Sequence, residues 1–221
     1  MAEPAFWQYP LKLNREPICT EMIRKYDNLY IELTQFAVSG AEYCFPYFNP
    51  TGVDPATGKR HHLYTGQWEG IPVGLIDYEK SVTPQFVTYK EKYEEELGKK
   101  LDDTIRKMRK RGLPHLHGII WQAERDKILA NAYLGTIYPG CRVLPHKGLG
   151  VDYMRVMLGL TWDDDKATIT VGDETETWID GDIIAFRDCG PYDISINHEG
   201  TEERLYLSFD LNMEYLKEYL V

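Results

Sequence analysis

The residues best suited to chemistry lie in the stretch YPGCRVLPHKGLGVDYMRVMLGL, residues 138–160. His146 follows Pro145 and precedes Lys147 and Gly148. An imidazole titrates near neutral pH and is a common metal ligand, so it can serve either acid–base or metal chemistry. Arg155 sits nine residues on, inside an apolar run. A guanidinium buried without a partner is too costly to keep, and a carboxylate-bearing ligand would supply one through a bidentate pair. Arg204 opens a second apolar run, LYLSFDL, and makes the same demand. The three residues together point to a pocket for a small molecule that is anionic or carries a carboxylate.

Other reactive residues carry weaker signals. Cys19, Cys44, Cys141 and Cys189 are scattered with no CxxC pair, which is neither a zinc pattern nor a disulfide scaffold. Cys189 in RDCGPYD would need a nearby base to act as a nucleophile, and a packed thiol is the simpler reading. His115 and His117 in LPHLHG would share one face if that segment were a strand. With no further ligand in register, a packed or solvated pair is expected. His61 and His62 diverge to opposite sides and read as surface residues. Asp163, Asp164 and Asp165 read as a hairpin turn, since the calcium-loop spacing of glycine and glutamate is absent.

These residues need elements to position them. Residues 1–15 read as irregular, punctuated by Pro4 and Pro10. Residues 16–39 carry Ile18, Met22, Ile23, Tyr26, Leu29, Tyr30 and Leu33 at helical spacing. Residues 45–60 read as a proline-bearing loop, and LYTGQWEGIPVGLI as strand. Residues 83–111 read as one charged amphipathic helix, with Tyr89, Tyr93, Leu97, Leu101 and Ile105 four apart; it is a solvated cover or a lid. From about Ile119 the texture turns to short strands: IIWQ, NAYLGTIYP, YMRVMLGLTW, KATITVGDETETWI, DIIAFRD, DISIN and RLYLSFDL. Regular short strands with turn signals indicate an all-β sandwich or barrel. NMEYLKEYLV reads as a closing helix.

Composition bounds the function. The 221 residues are 43% hydrophobic and 27% charged, ordinary for a globular chain, and a single domain over 1–221 is expected. Its helical front half covers about 1–115 and its β core about 62–211. The net charge of −10 disfavours nucleic acid and anionic membrane surfaces as partners. No apolar run reaches the roughly 20 residues that cross a bilayer, and MAEPAFWQYPLKLNREP lacks the pattern of a leader peptide. The expected location is the cytoplasm.

The ordered set PHKG, MRVMLGL, WIDGD, IIAFRD and ERLYLSFDL resembles the aspartyl/asparaginyl β-hydroxylase family over about residues 62–211. The resemblance implies an α+β fold: a double-stranded β-helix, jelly-roll and cupin-like, with helices packed on one side. It implies Fe(II) and 2-oxoglutarate as cofactors, and hydroxylation or desaturation of a small molecule. It puts His146 on iron, gives Gly148 the place of a carboxylate ligand, and assigns 2-oxoglutarate to Arg204 with Arg155 beside it. Asp188 matches an acidic position that would orient His146.

Two positions depart from the pattern. Where the family has its second iron histidine, this chain has Tyr192, a weak ligand at its ordinary pKa near 10 and more simply read as a hydrogen-bond donor on a pocket wall. His198 is the nearby alternative, on what reads as a hairpin tip. Met157 replaces a further family histidine. The sequence therefore supports two chemistries in one pocket. One is an iron oxygenase on His146. The other is a metal-free enzyme, without cofactor, in which His146 and Tyr192 act as acid and base to cyclise, isomerise or dehydrate an anionic metabolite. The expected geometry has His146 and Tyr192 in one cavity, with Arg204 deeper in it.

Overall fold

A computed structural model describes residues 6–8, 16–39, 45–46, 51–53, 60–62, 64–75, 91, 94–95, 101–146, 153–161, 166–187 and 193–216. The helical front begins with α1 (Pro17–Arg24) and α2 (Tyr26–Ser39). Glu16 starts α1: its carboxylate accepts from the Ile18 and Cys19 amides at 3.0 and 2.7 Å, and Pro17 needs no such partner. Lys25 leaves helical geometry, so the single helix expected over 16–39 is two. Ile18, Met22, Leu29, Leu33 and Phe36 form their buried stripe.

Helix α3 (Leu101–Gly112) is the described part of the charged helix expected over 83–111. Helix α4 (Pro114–Arg125) corrects the sequence reading, which took IIWQ for a strand. Leu116, Ile119, Ile120 and Ala123 are buried at three- and four-residue steps, and Pro114 sets the first turn. His115 and His117 therefore diverge around a helix. The His115 amide donates to Glu32 (2.8 Å), and His117 Nδ1 accepts from Arg109 Nε (3.2 Å). Arg109 is buried and clamps α3 to its surroundings, donating to both Glu124 carboxylate oxygens and to the Val73 carbonyl.

The strands are β1 (Phe6–Gln8), β2 (Phe45–Pro46), β3 (Thr51–Val53), β4 (Arg60–His62), β5 (Tyr64–Thr65), β6 (Trp68–Leu75), β7 (Leu129–Ile137), β8 (Arg142–His146), β9 (Tyr153–Gly159), β10 (Ala167–Val171), β11 (Glu174–Thr177), β12 (Ile183–Arg187), β13 (Ile194–His198) and β14 (Arg204–Asn212). A short α5 (Met213–Leu216) follows. Phe6–Gln8 and the three short strands β2–β4 lie in stretches expected to be irregular or loop. Edge pairing with β12 and β6, and of β3 with β4, recruits them.

The larger sheet has the order β1-β12-β9-β14-β7-β6-β2 and the smaller β11-β10-β13-β8-β5. β3 and β4 pair by themselves. The two larger sheets enclose an inner core of Tyr64, Ile137, Val143, Met157, Ile169, Trp178, Phe186, Ile194, Ile196 and Tyr206. The opposite face of the larger sheet packs on α1, α2 and α4 through Val156, Leu158, Leu205, Leu207, Phe209 and Leu211. This is an α+β double-stranded β-helix with helices on one side. Period-two alternation produces it: in β14, Leu205, Leu207, Phe209 and Leu211 face the helices, while Tyr206 faces the barrel. Arg204, Ser208 and Asp210 share the parity of Tyr206.

Candidate functional site

Chain connections define two ends of the barrel. At one end β8 finishes at His146 and β9 starts at Tyr153, and β12 finishes at Arg187 and β13 starts at Ile194. At the other, β13 finishes at His198 and β14 starts at Arg204, while β9 finishes at Gly159. His146 therefore closes a strand of the smaller sheet. Arg155 lies on the next strand, β9, in the larger sheet.

At the first end His146 stands opposite Ile194, whose side chain belongs to the inner core. Facing residues in an antiparallel pair share a side, so the imidazole is on the barrel face. The ladder shifts register between Ile194 and Ile196, so His146 and Val143 both point inward although they are an odd number of residues apart. His146 is half-buried, and its Nδ1 stands 2.9 Å from the Leu144 carbonyl oxygen. A carbonyl can only accept, so Nδ1 is the donor, and in the neutral ring the lone pair falls to Nε2. A backbone carbonyl on one ring nitrogen is the usual way to orient a histidine that works through the other.

The floor opposite is ordered in rows across the larger sheet. The first row holds Phe186, Arg155 and Asp210, and the second Ile184, Met157, Ser208 and Tyr133. Arg155 Nε donates to Asp210 Oδ1 at 2.8 Å and its Nη2 to Oδ2 at 3.2 Å. The arginine side chain is 21% exposed and the aspartate 2%. The third row is Gly159, Tyr206, Gly135 and Gly70. Tyr206 lies over Gly135, in space a Cβ would occupy, and its hydroxyl accepts from Trp68 Nε1 at 2.8 Å. The Trp178 ring stands 4.9 Å from the Tyr206 ring, centre to centre. This aromatic layer lies between the His146 end and the fourth row, where Arg204 faces Ile137.

Arg204 is buried, and both of its terminal nitrogens meet groups of the chain. Its Nη2 contacts Asp180 Oδ1 at 2.9 Å, with side-chain exposures of 1% and 7%. Nη2 also donates to the Trp178 carbonyl and Nη1 to the Thr161 carbonyl, and the guanidinium lies 5.3 Å from the Trp178 ring centre. The sequence reading expected a ligand carboxylate to meet each arginine. The chain supplies both carboxylates itself, Asp210 for Arg155 and Asp180 for Arg204. Neither aspartate was singled out in the sequence, although polar residues at every second position of RLYLSFDL mark Ser208 and Asp210 as barrel residues.

His198 corrects another expectation. It is no hairpin tip but the buried last residue of β13, and its Nε2 bonds the Glu202 carbonyl at 2.7 Å. It lies four residues along β13 from Ile194, about 13 Å at the usual rise of about 3.3 Å per residue. It cannot join His146 on one metal ion. Tyr192, Asp188 and Cys189 lie outside the described residues, as do Gly148 and the aspartates 163–165. Burial holds the Cys19 thiol well above its ordinary value and pushes Cys141 up to about 11, so neither is a thiolate at neutral pH.

The implied cofactors can be tested against these groups. His146 suits one iron position, through Nε2. Among the described residues no three His, Cys, Asp or Glu stand together as a metal site. The described residues do not fit 2-oxoglutarate, because both candidate guanidiniums are already neutralised by buried carboxylates. No helix among the described residues is long and apolar enough to cross a membrane.

The family model described as Aspartyl/Asparaginyl beta-hydroxylase matches residues 97–213. No curated protein matches the sequence. Among solved structures, a prolyl-4-hydroxylase from Pseudomonas putida is similar over 85% of this chain and 86% of its own, at 13% identity and a TM-score of 0.43. A predicted oxalate decarboxylase from Thermotoga maritima is similar over 67% of this chain and 84% of its own, at 11% identity and a TM-score of 0.35.

Proposed function

Because this chain belongs to the aspartyl/asparaginyl β-hydroxylase family, we propose that it is an enzyme that transforms a small molecule at the His146 end of its barrel. The observation that carries this reading is the hydrogen bond from His146 Nδ1 to the Leu144 carbonyl, which orients the ring with Nε2 turned to the barrel face. The reaction it supports best is acid–base chemistry: isomerisation, cyclisation or dehydration of an anionic metabolite. Nε2 takes a proton from one substrate atom, and the imidazolium returns it to another. Tyr192, from its place in the chain just before β13, is the partner acid. Ser208 lies on the floor, beside the Arg155–Asp210 pair, and hydrogen-bonds the substrate's polar end. No step runs through 2-oxoglutarate, since the arginines that would hold it are paired within the chain.

The test is turnover of candidate anionic metabolites in EDTA, with His146→Gln as the control. Activity that survives chelation and disappears in the variant supports the proposal. Activity abolished by EDTA and restored by Fe(II), with release of succinate, refutes it. That result would establish a second reading, iron-dependent hydroxylation or desaturation of the same metabolite. The same ring favours this reading, because a carbonyl on Nδ1 also suits metal ligation through Nε2. Iron held there would supply oxygen activation, and His146 would be its protein ligand.

A further inference from the structure

We infer that Asp180 determines cosubstrate specificity: it stands in for a bound carboxylate on Arg204 and so excludes 2-oxo dicarboxylates from the inner end of this barrel. Three separate features support this. The first is charge. Arg204 and Asp180 form a neutral, nearly inaccessible pair, and a second carboxylate on the same guanidinium would leave a net negative charge buried beside Asp180.

The second feature is how the aspartate is held. Residues 178–182 are laced to the end of β9: the Gly181 amide donates to the Gly159 carbonyl at 3.0 Å, and the Gly159 amide to the Asp182 carbonyl at 3.3 Å. Gly181 has a φ of +77°, which lets the turn bring Asp180 back against the strand. Gly159 allows the close approach. A Cβ there would lie 2.9 Å from the Ile179 carbonyl oxygen and 3.0 Å from Arg204 Nη2. The turn therefore holds the Asp180 backbone against β9, with its side chain 7% exposed. Its neighbour Tyr26 registers the charge: burial first, then Asp180, pushes the phenol up to about 12.

The third feature is the aromatic layer. A ligand reaching from His146 to Arg204 has to pass Tyr206, which is 2% exposed and fixed by Trp68, and Trp178, which is fully buried. The inference concerns the end of the barrel away from His146. It does not rest on the acid–base reading, and the experiment below measures binding and melting without turnover, so the two can fail separately.

Two measurements test it. The first titrates wild-type protein with 2-oxoglutarate in the presence of Mn(II), a metal that allows binding without oxidation, beside the Arg204→Met variant. No saturable binding by wild type is expected. Saturable binding that is lost in Arg204→Met overturns the inference. The second follows the melting temperature of Asp180→Ala against formate concentration. Alanine keeps the Cβ, so the change removes only the carboxylate that faces the guanidinium and leaves a vacancy of formate size. The variant should melt below wild type and recover as formate is added, while wild type and the double variant Asp180→Ala/Arg204→Met show no such recovery. A folded Asp180→Ala that does not respond to formate overturns the inference. If that variant does not fold, the wild-type titration decides.

Discussion

Replacing Gly135 by alanine should damage the barrel more than any ordinary glycine substitution in a strand. Gly135 pairs with Tyr206 across β7 and β14, and a Cβ there would lie closer than 3.0 Å to the Cζ, Cε1 and Oη atoms of that ring. The ring cannot simply step aside, because it is buried, bonded to Trp68 and packed on Trp178. Forcing one methyl group into a filled core costs about 1–3 kcal/mol. Losing the Trp68–Tyr206 hydrogen bond adds about 1 kcal/mol. The sum, about 2–4 kcal/mol, corresponds to a fall in Tm of about 4–16 °C for a chain of this size. The assay is urea unfolding of Gly135→Ala, Tyr206→Ala and the double variant. With the ring gone, Gly135→Ala should become neutral or stabilising by a few tenths of a kcal/mol, since alanine loses less backbone entropy in a strand. Equal costs in the two backgrounds, or a cost below about 0.5 kcal/mol in wild type, would refute the reasoning.

Three further predictions follow from the same description. Asp210→Asn strands the Arg155 charge and should cost about 3–5 kcal/mol in urea unfolding, whereas Arg155→Met/Asp210→Leu should lie far closer to wild type. His146→Gln should lower turnover by about 100-fold or more while leaving Tm within a degree or two, because the ring is half-buried and bonds only locally. Burial, and then Arg109, depresses the His117 pKa in the folded protein. The unfolded chain therefore takes up a proton near pH 6.5 that the folded protein declines. Stability should fall as pH drops from about 6.5 toward the lower folded value. His117→Asn should flatten that slope, which unfolding titrations between pH 5 and 8 would measure.

The strands and the layer arrangement were legible because alternation is written directly into runs such as RLYLSFDL and MRVMLGL. His146 was legible as a site residue from PHKG. The partners of the arginines were not. Arg155 and Asp210 are 55 residues apart and meet only because β9 and β14 pair in one register; a lone sequence says that a buried cation needs a carboxylate, not whose. Asp180 was hidden in the same way, inside a motif read only as a turn. IIWQ misled because two isoleucines and a tryptophan favour strands locally. The longer stripe through Leu116, Ile120 and Ala123, started by Pro114, outweighs that preference. His198 was misplaced because the turn begins one residue later, at Glu199.

β14 works like a tape recorded on both sides. Its odd positions, Leu205 to Leu211, are read only by the helices, and its even positions, Arg204, Tyr206, Ser208 and Asp210, only by the barrel. Substitution on the even track leaves the helix interface untouched, but Arg204, Tyr206 and Asp210 are matched to Asp180, Gly135 and Arg155, so a new barrel lining has to be grafted with those partners. A single inserted or deleted residue is another matter. It exchanges the two tracks downstream at once and drives a charged side chain into the apolar helix interface of Leu205, Leu207, Phe209 and Leu211. This strand therefore accepts changes on its even track only together with their partners across the barrel, and it tolerates no change of length.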